Sequence, residues 1–93
     1  MSDRPQRNAI LDANCEEDLE HWRRTDPRLA ARIVSLMEAT LENPFDGIGK
    51  PEPLRGPLAG KWSRRISKEH RLVYVVKADS VYFLAARYHY RRS

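Results

Sequence analysis

Lys61-Trp62-Ser63-Arg64-Arg65-Ile66-Ser67-Lys68-Glu69-His70-Arg71-Leu72-Val73-Tyr74, with Arg87-Tyr88-His89-Tyr90 beyond it, decides how this 93-residue chain folds. Trp62, Ile66, Leu72, Tyr74 and Val76 alternate, imperfectly, with the hydroxyl of Ser63 and the cations of Arg65 and Arg71. A period of two predicts strands with one buried and one polar face. Residues 61–67 and 71–77 then make a hairpin about Lys68-Glu69, and a third strand, 80–90, returns after a turn at Ala78-Asp79. So short a span carrying several arginines, histidine and tyrosine presents them to something anionic. RNA is the leading candidate, because a face mixing cations with aromatic rings neutralises phosphates and stacks unpaired bases together. Arg64, Arg65 and Tyr88 are counted in this RNA-binding face.

Upstream, Asn43 to Gly60 holds Pro44, Pro51, Pro53 and Pro57 with Gly47, Gly49, Gly56 and Gly60, too many breakers for a helix or a central strand. A loop of this length in a small domain suggests a task. Phe45 and Leu54 are its expected anchors into the core. Glu52 stands between two prolines that fix φ and two cations, Lys50 and Arg55, so its carboxylate is presented with little backbone freedom. Taken alone, the segment reads more readily as an ordinary exposed turn carrying a solvated glutamate.

Before the loop the period changes to that of helices. Cys15, Leu19 and Trp22 recur at helical spacing over residues 13–24, with Asp12 or Asn14 to cap the start. Thr25-Asp26-Pro27 breaks and restarts the chain, Asp26 suiting an N-cap and Pro27 the first helical position. Leu29, Ile33, Leu36, Met37, Thr40 and Leu41 then form a stripe to about residue 42, so a helical hairpin is expected. Residues 9–12 read as a first strand. Cys15, Trp22 and Met37 are core residues in this setting rather than chemistry. The order β-α-α-β-β-β defines an α+β domain, with the helical hairpin on one face of a small, mostly antiparallel sheet and the other face partly open.

Composition narrows the function classes. The length predicts a single domain, 1–93, with 1–7 a loose tail. Cys15 is the only cysteine, which excludes an internal disulfide and fits a reducing cytoplasm. No run approaches the length of a signal peptide core or a membrane span, so no membrane partner is expected. Six Lys/Arg against nine Asp/Glu leave residues 1–43 at −3, while eleven against four leave residues 44–93 at +7. The cations are therefore concentrated in the half that forms the strands and the loop.

His21, His70 and His89 lack metal-ligand spacing, and neither a serine-nucleophile nor a P-loop motif is present, so no metal and no cofactor are expected. What remains suits metal-free cleavage of RNA. That reaction needs a base for the ribose 2′-hydroxyl, cations for charge growing on the phosphate oxygens, and an acid for the departing 5′-oxygen. Glu52, Arg65, Arg71 and His89 supply these parts if the loop folds over the sheet. Arg65 and Arg71 lie near-symmetrically about the turn, so their guanidiniums can approach across the strands. His89 titrates near neutrality and is the natural acid. Tyr88 or Tyr90 stacks a base or donates a hydrogen bond, and His70 reads as structural or rim.

The blocks Pro44-Phe45-Asp46-Gly47, Gly49-Lys50-Pro51-Glu52-Pro53-Leu54, Trp62-Ser63-Arg64-Arg65-Ile66, Glu69-His70-Arg71-Leu72-Val73-Tyr74 and Arg87-Tyr88-His89-Tyr90 resemble the Txe/YoeB toxins of the RelE/ParE superfamily. The resemblance implies a RelE-like, microbial-RNase-like fold and a ribosome-dependent mRNA interferase. Such an enzyme cuts mRNA in the ribosomal A site and is neutralised by a YefM-type antitoxin. It places the general base on Glu52, the transition-state arginine on Arg71, the general acid on His89 and the terminal tyrosine on Tyr90. Lys50 and Arg65 match positions that contact RNA or phosphate, and Arg55 one that is basic or polar. The family fold is often a homodimer. Arg91-Arg92-Ser93 extend past the usual terminal tyrosine, and either add phosphate contacts or crowd the site. Two readings compete with the enzyme. One is a non-catalytic module of the same fold acting on a protein such as DNA gyrase, as ParE relatives do; the other is a regulator that binds nucleic acid only with its antitoxin.

Overall fold

The computed structural model describes residues 7–88. β1 (Asn8–Leu11) leads into α1 (Ala13–Thr25), and α2 (Pro27–Glu42) follows after one residue. A loop then carries the two-residue β2 (Glu52–Pro53) and a 3-10 turn (Gly56–Leu58), before β3 (Trp62–Arg65), β4 (Arg71–Val76) and β5 (Ser80–Ala85). The five strands form one sheet in the order β1-β5-β4-β3-β2, antiparallel except for the parallel β1–β5 pair. The expected α+β architecture, two helices on one face of a mostly antiparallel sheet, is the one observed.

The helix boundaries follow from capping. The Asp12 carboxylate accepts from the Asn14 amide at the start of α1 (3.2 Å), and the Asp26 carboxylate accepts from the Leu29 amide at the start of α2 (3.3 Å) with Pro27 in the first turn. Asp26 also closes α1, its own amide bonding the Trp22 carbonyl. An Asp26→Ala chain is expected to lose about 1 kcal/mol. That corresponds to a fall of about 4–8 °C in thermal midpoint for a domain of this size. An unchanged midpoint by circular dichroism would show that the backbone bond alone holds the joint.

The core lies between the helices and the sheet. Cys15, Leu19, Trp22, Ala30, Ile33, Leu36 and Met37 from the helices meet Ile66, Leu72, Tyr74, Val81, Phe83 and Ala86. Burial, helped by nearby carboxylates, pushes the Cys15 thiol up to about 12, so the cysteine is packing material and not a nucleophile.

Three expectations need correction. The loop contributes a strand, β2, that periodicity could not reveal; Pro53 is tolerated because β2 is the edge of the sheet, where a missing N–H breaks no inner ladder. The last strand was expected to run to residue 90, but β5 stops at Ala85 because side chains of α1 take over the backbone bonds of Ala86. Phe45, expected as a core anchor, is half exposed and packs on Trp62 with ring centroids 5.0 Å apart, while Leu54 is half-buried.

Candidate active site

Glu52 reaches the sheet through a strained entry. Gly49 stands at φ +82°, and a Cβ there would lie 2.8 Å from Leu36 Cδ2 and 3.1 Å from Arg64 Cβ, so only glycine passes this point. Its carbonyl accepts from the Arg65 amide at 2.7 Å, which ties the loop to the end of β3. Lys50 follows at φ +50°, a left-handed conformation that costs a non-glycine residue roughly 1–2 kcal/mol. The chain then turns so that Glu52 pairs with Ser63 and Pro53 with Trp62.

On this register the open face of the sheet assembles a cluster. Arg71 stands opposite Arg65 on the neighbouring strand, within the approach that their near-symmetry about the turn leads one to expect. Its guanidinium runs diagonally over β3, donating to Ser63 Oγ at 3.1 Å and to Glu52 Oε2 at 3.2 Å on β2. Arg71 is mostly covered (side chain 20% exposed), whereas the Glu52 carboxylate remains open to solvent (55%). Arg65 is exposed beside them. The cluster thus offers an accessible carboxylate, a guanidinium held by two partners, and a second cation directly across the ladder. Lys50 and Arg55 are also exposed, before and after Glu52 on the same loop.

Arg64 does not belong to this face. Alternation along β3 sends it to the opposite side from Ser63 and Arg65, where it is fully buried. There its guanidinium donates to the carbonyls of Asn43, Asp46 (3.0 Å) and Ile48 (2.9 Å), and its Nε to the Tyr74 hydroxyl (3.3 Å). Tyr74 in turn donates to the Pro44 carbonyl at 2.7 Å, and burial holds its phenol above the ordinary range. The expectation that Arg64 binds RNA is therefore corrected: its donors are spent on the chain's own loop.

At the C-terminal end, Tyr88 is exposed, stands at φ +57° and lies under the Arg87 guanidinium, 5.3 Å from its ring centroid. Its amide donates to His70 Nδ1 at 2.6 Å and its carbonyl accepts from the Arg71 amide at 3.0 Å. His70 is buried between the rings of Trp22 and Tyr88. His89 and Tyr90, named from the sequence as acid and terminal tyrosine, lie outside the described residues, as does Arg91-Arg92-Ser93. Ser63 escaped the sequence reading as a site residue; carrying the Arg65–Arg71 register outward by two residues places it opposite Val73, diagonal to Arg71 on the same face. Among the described residues no group of three or more His, Cys, Asp or Glu side chains converges as a metal site would require.

Fold and charged face together define a class, the small toxins of bacterial toxin–antitoxin systems. A YoeB/ParE toxin from Agrobacterium tumefaciens superposes with a TM-score of 0.86 at 41% identity, over 89% of this chain and 99% of that one. The family model described as the YoeB-like toxin of bacterial type II toxin–antitoxin systems matches residues 11–90, and the chain belongs to this family. Toxin YoeB of Escherichia coli K12 is 51% identical over 74 residues, 80% of this chain and 88% of that protein. The toxin in a heterotetrameric YoeB–YefM toxin–antitoxin complex from Staphylococcus aureus is 35% identical, with a TM-score of 0.81 over 94% of this chain and 99% of that one.

Proposed function

We propose that this toxin is a ribosome-dependent mRNA interferase that cleaves mRNA in the ribosomal A site without a metal ion. The observation that carries the reading is Arg71 bridging Glu52 and Ser63 on an open face, directly across from Arg65. A phosphate arriving at Arg65 and Arg71 draws the guanidinium from Glu52 and frees the carboxylate to act as base. Glu52 takes the 2′-hydroxyl proton, and the 2′-oxygen attacks phosphorus. The bond to the 5′-oxygen breaks, and His89 protonates that oxygen. The products are a 2′,3′-cyclic phosphate and a free 5′-hydroxyl. Arg71 and Arg65 hold the charge that grows on the phosphate oxygens. Lys50, Arg55 and Tyr88 bind the flanking RNA, and Tyr90 completes the site beside His89. The protein acts in the cytoplasm, where its template is.

The test is primer extension on an mRNA under translation by purified ribosomes, with and without the toxin. Cuts that need both the ribosomes and the toxin support the reading. A folded toxin that leaves every transcript intact moves the assignment to a non-catalytic module, with DNA gyrase the next target to assay.

The same proposal includes a YefM-type antitoxin, supported by the staphylococcal complex and by the +7 charge of residues 44–93. An acidic, partly disordered segment folding onto this basic surface would cover the site. Raising salt from 0.05 to about 0.5 M is expected to weaken that complex markedly in titration calorimetry, and an affinity indifferent to salt would count against an electrostatic contact. A homodimer, which the family resemblance suggests, completes the proposed assembly.

A further inference from the structure

Where β5 ends, the next backbone groups are held by side chains and by one neighbouring amide. The Asp18 carboxylate accepts from the Ala86 amide (2.9 Å) and the Trp22 indole donates to the Ala86 carbonyl (2.9 Å). Two residues on, His70 Nδ1 accepts from the Tyr88 amide and the Arg71 amide donates to the Tyr88 carbonyl. Four groups, two on α1, one on His70 just before β4 and one on Arg71 at its start, thereby clamp residues 86 and 88, and the last belongs to the same Arg71 whose side chain holds Glu52. Lys50 and Tyr88 are the non-glycine residues at positive φ among those described, one just before Glu52 and the other just before His89. Such strain persists only where the surroundings over-determine it. At Tyr88 the over-determining contact is the short bond to His70.

We propose that His70 is a positioning residue for the C-terminal end of the site: its neutral imidazole, by accepting the Tyr88 amide, sets the backbone from which His89 and Tyr90 continue. An imidazolium has no lone pair to offer at Nδ1, so protonating His70 opens this contact. The groups facing the ring are Glu69 at 3.9 Å from Nε2, Asp18 and His21 on α1, and Arg87 after β5. Burial outweighs the attraction of the carboxylates and, with Arg87 and His21 adding to it, holds His70 below its ordinary value near 6.5. With the folded value depressed, the native state binds fewer protons than the unfolded chain below pH 6.5. The latch is thus intact at and above that pH, and opens only as the pH falls further, through the depressed folded value.

The test follows the Tyr88 amide by proton–nitrogen NMR of the full chain between pH 8 and 5, in the native protein, His70→Asn and His70→Leu. Asparagine can set a non-titrating oxygen about where Nδ1 stands; leucine offers no acceptor. In the native chain the amide should be protected from exchange at pH 8 and lose protection on acidification. Asparagine should keep it protected throughout, and leucine should leave it unprotected at every pH, with β3–β4 amides unchanged as evidence of folding. A native Tyr88 amide indifferent to pH across the His70 titration, or one still protected in His70→Leu, overturns the proposal. The consequence for cleavage rests on the proposed interferase reading. With that reading, His70→Leu should lower kcat by about 10²-fold at unchanged KM, and His70→Asn should restore most of it. Loss of the protected amide without any cleavage by the native toxin would overturn the interferase reading and leave the latch standing.

Discussion

Glu52→Gln is expected to reduce ribosome-dependent cleavage by about 10²–10⁴-fold, the range that a general base contributes. The substitution keeps the size of the side chain and an oxygen for the Arg71 guanidinium, so the geometry around Ser63 survives. It removes the one property the chemistry needs, a carboxylate that can take a proton. Little stability should be lost with it. The Glu52–Arg71 pair is 3.2 Å long but more than half exposed at the carboxylate, and pairs so open to water contribute about 0–1 kcal/mol. The diagnostic result is therefore a dissociation: a large fall in kcat measured by primer extension, beside a thermal midpoint close to that of the native chain. If the glutamine variant cleaved within about threefold of the native rate, Glu52 would be a positioning partner of Arg71, and the base would have to be sought elsewhere. Arg71→Gln offers a contrast, since it strips the phosphate of its best-held cation and should also weaken binding to ribosome-bound RNA.

Much of this was legible in the chain because it is local. The helices announce themselves through Asp12, Asp26 and Pro27, whose capping roles need only a few residues of context. The approach of Arg65 and Arg71 follows nearly from their symmetry about the turn: counting outward from Lys68-Glu69 sets Arg71 opposite Ile66, and the observed register, centred on Lys68, moves it by one residue to Arg65. Glu52 was visible through the rigidity of its two prolines. What stayed hidden depends on distant partners. Two residues of β2 cannot display a period of two, and their strand exists only because β3 offers a free edge. The last strand reads past Ala85 because nothing near Ala86 reveals that Asp18 and Trp22, more than sixty positions earlier, will satisfy its backbone. Arg64 misled for the same reason: a cation in a basic run reads as surface until the carbonyls that receive it, sixteen or more residues upstream, are in place.

Arg64→Met is expected to cost about 3–5 kcal/mol, the largest stability loss of any substitution considered for this chain. Three carbonyls and the Tyr74 hydroxyl converge on one buried guanidinium, and each buried acceptor left without its donor costs about 1–3 kcal/mol, less whatever entering water restores. Methionine matches the length of the stem but has no donor. Lysine keeps the charge, yet an ammonium is a point donor and cannot span the fork between the Asn43, Asp46 and Ile48 carbonyls, so Arg64→Lys should recover about half of the loss. A domain of this size holds roughly 5–15 kcal/mol in all, so the methionine variant would stand close to unfolding at 37 °C. Guanidinium unfolding followed by Trp fluorescence should show the midpoint falling in the order native, lysine, methionine, with the slope unchanged. The loss should reach function through position and not through RNA affinity. The loop that Arg64 secures runs through Gly49 and Lys50 into Glu52, so its release frees the proposed base from the register that pairs it with Ser63. A methionine variant as stable as the native chain but weak in binding RNA would instead return Arg64 to the RNA-binding face from which its burial removes it.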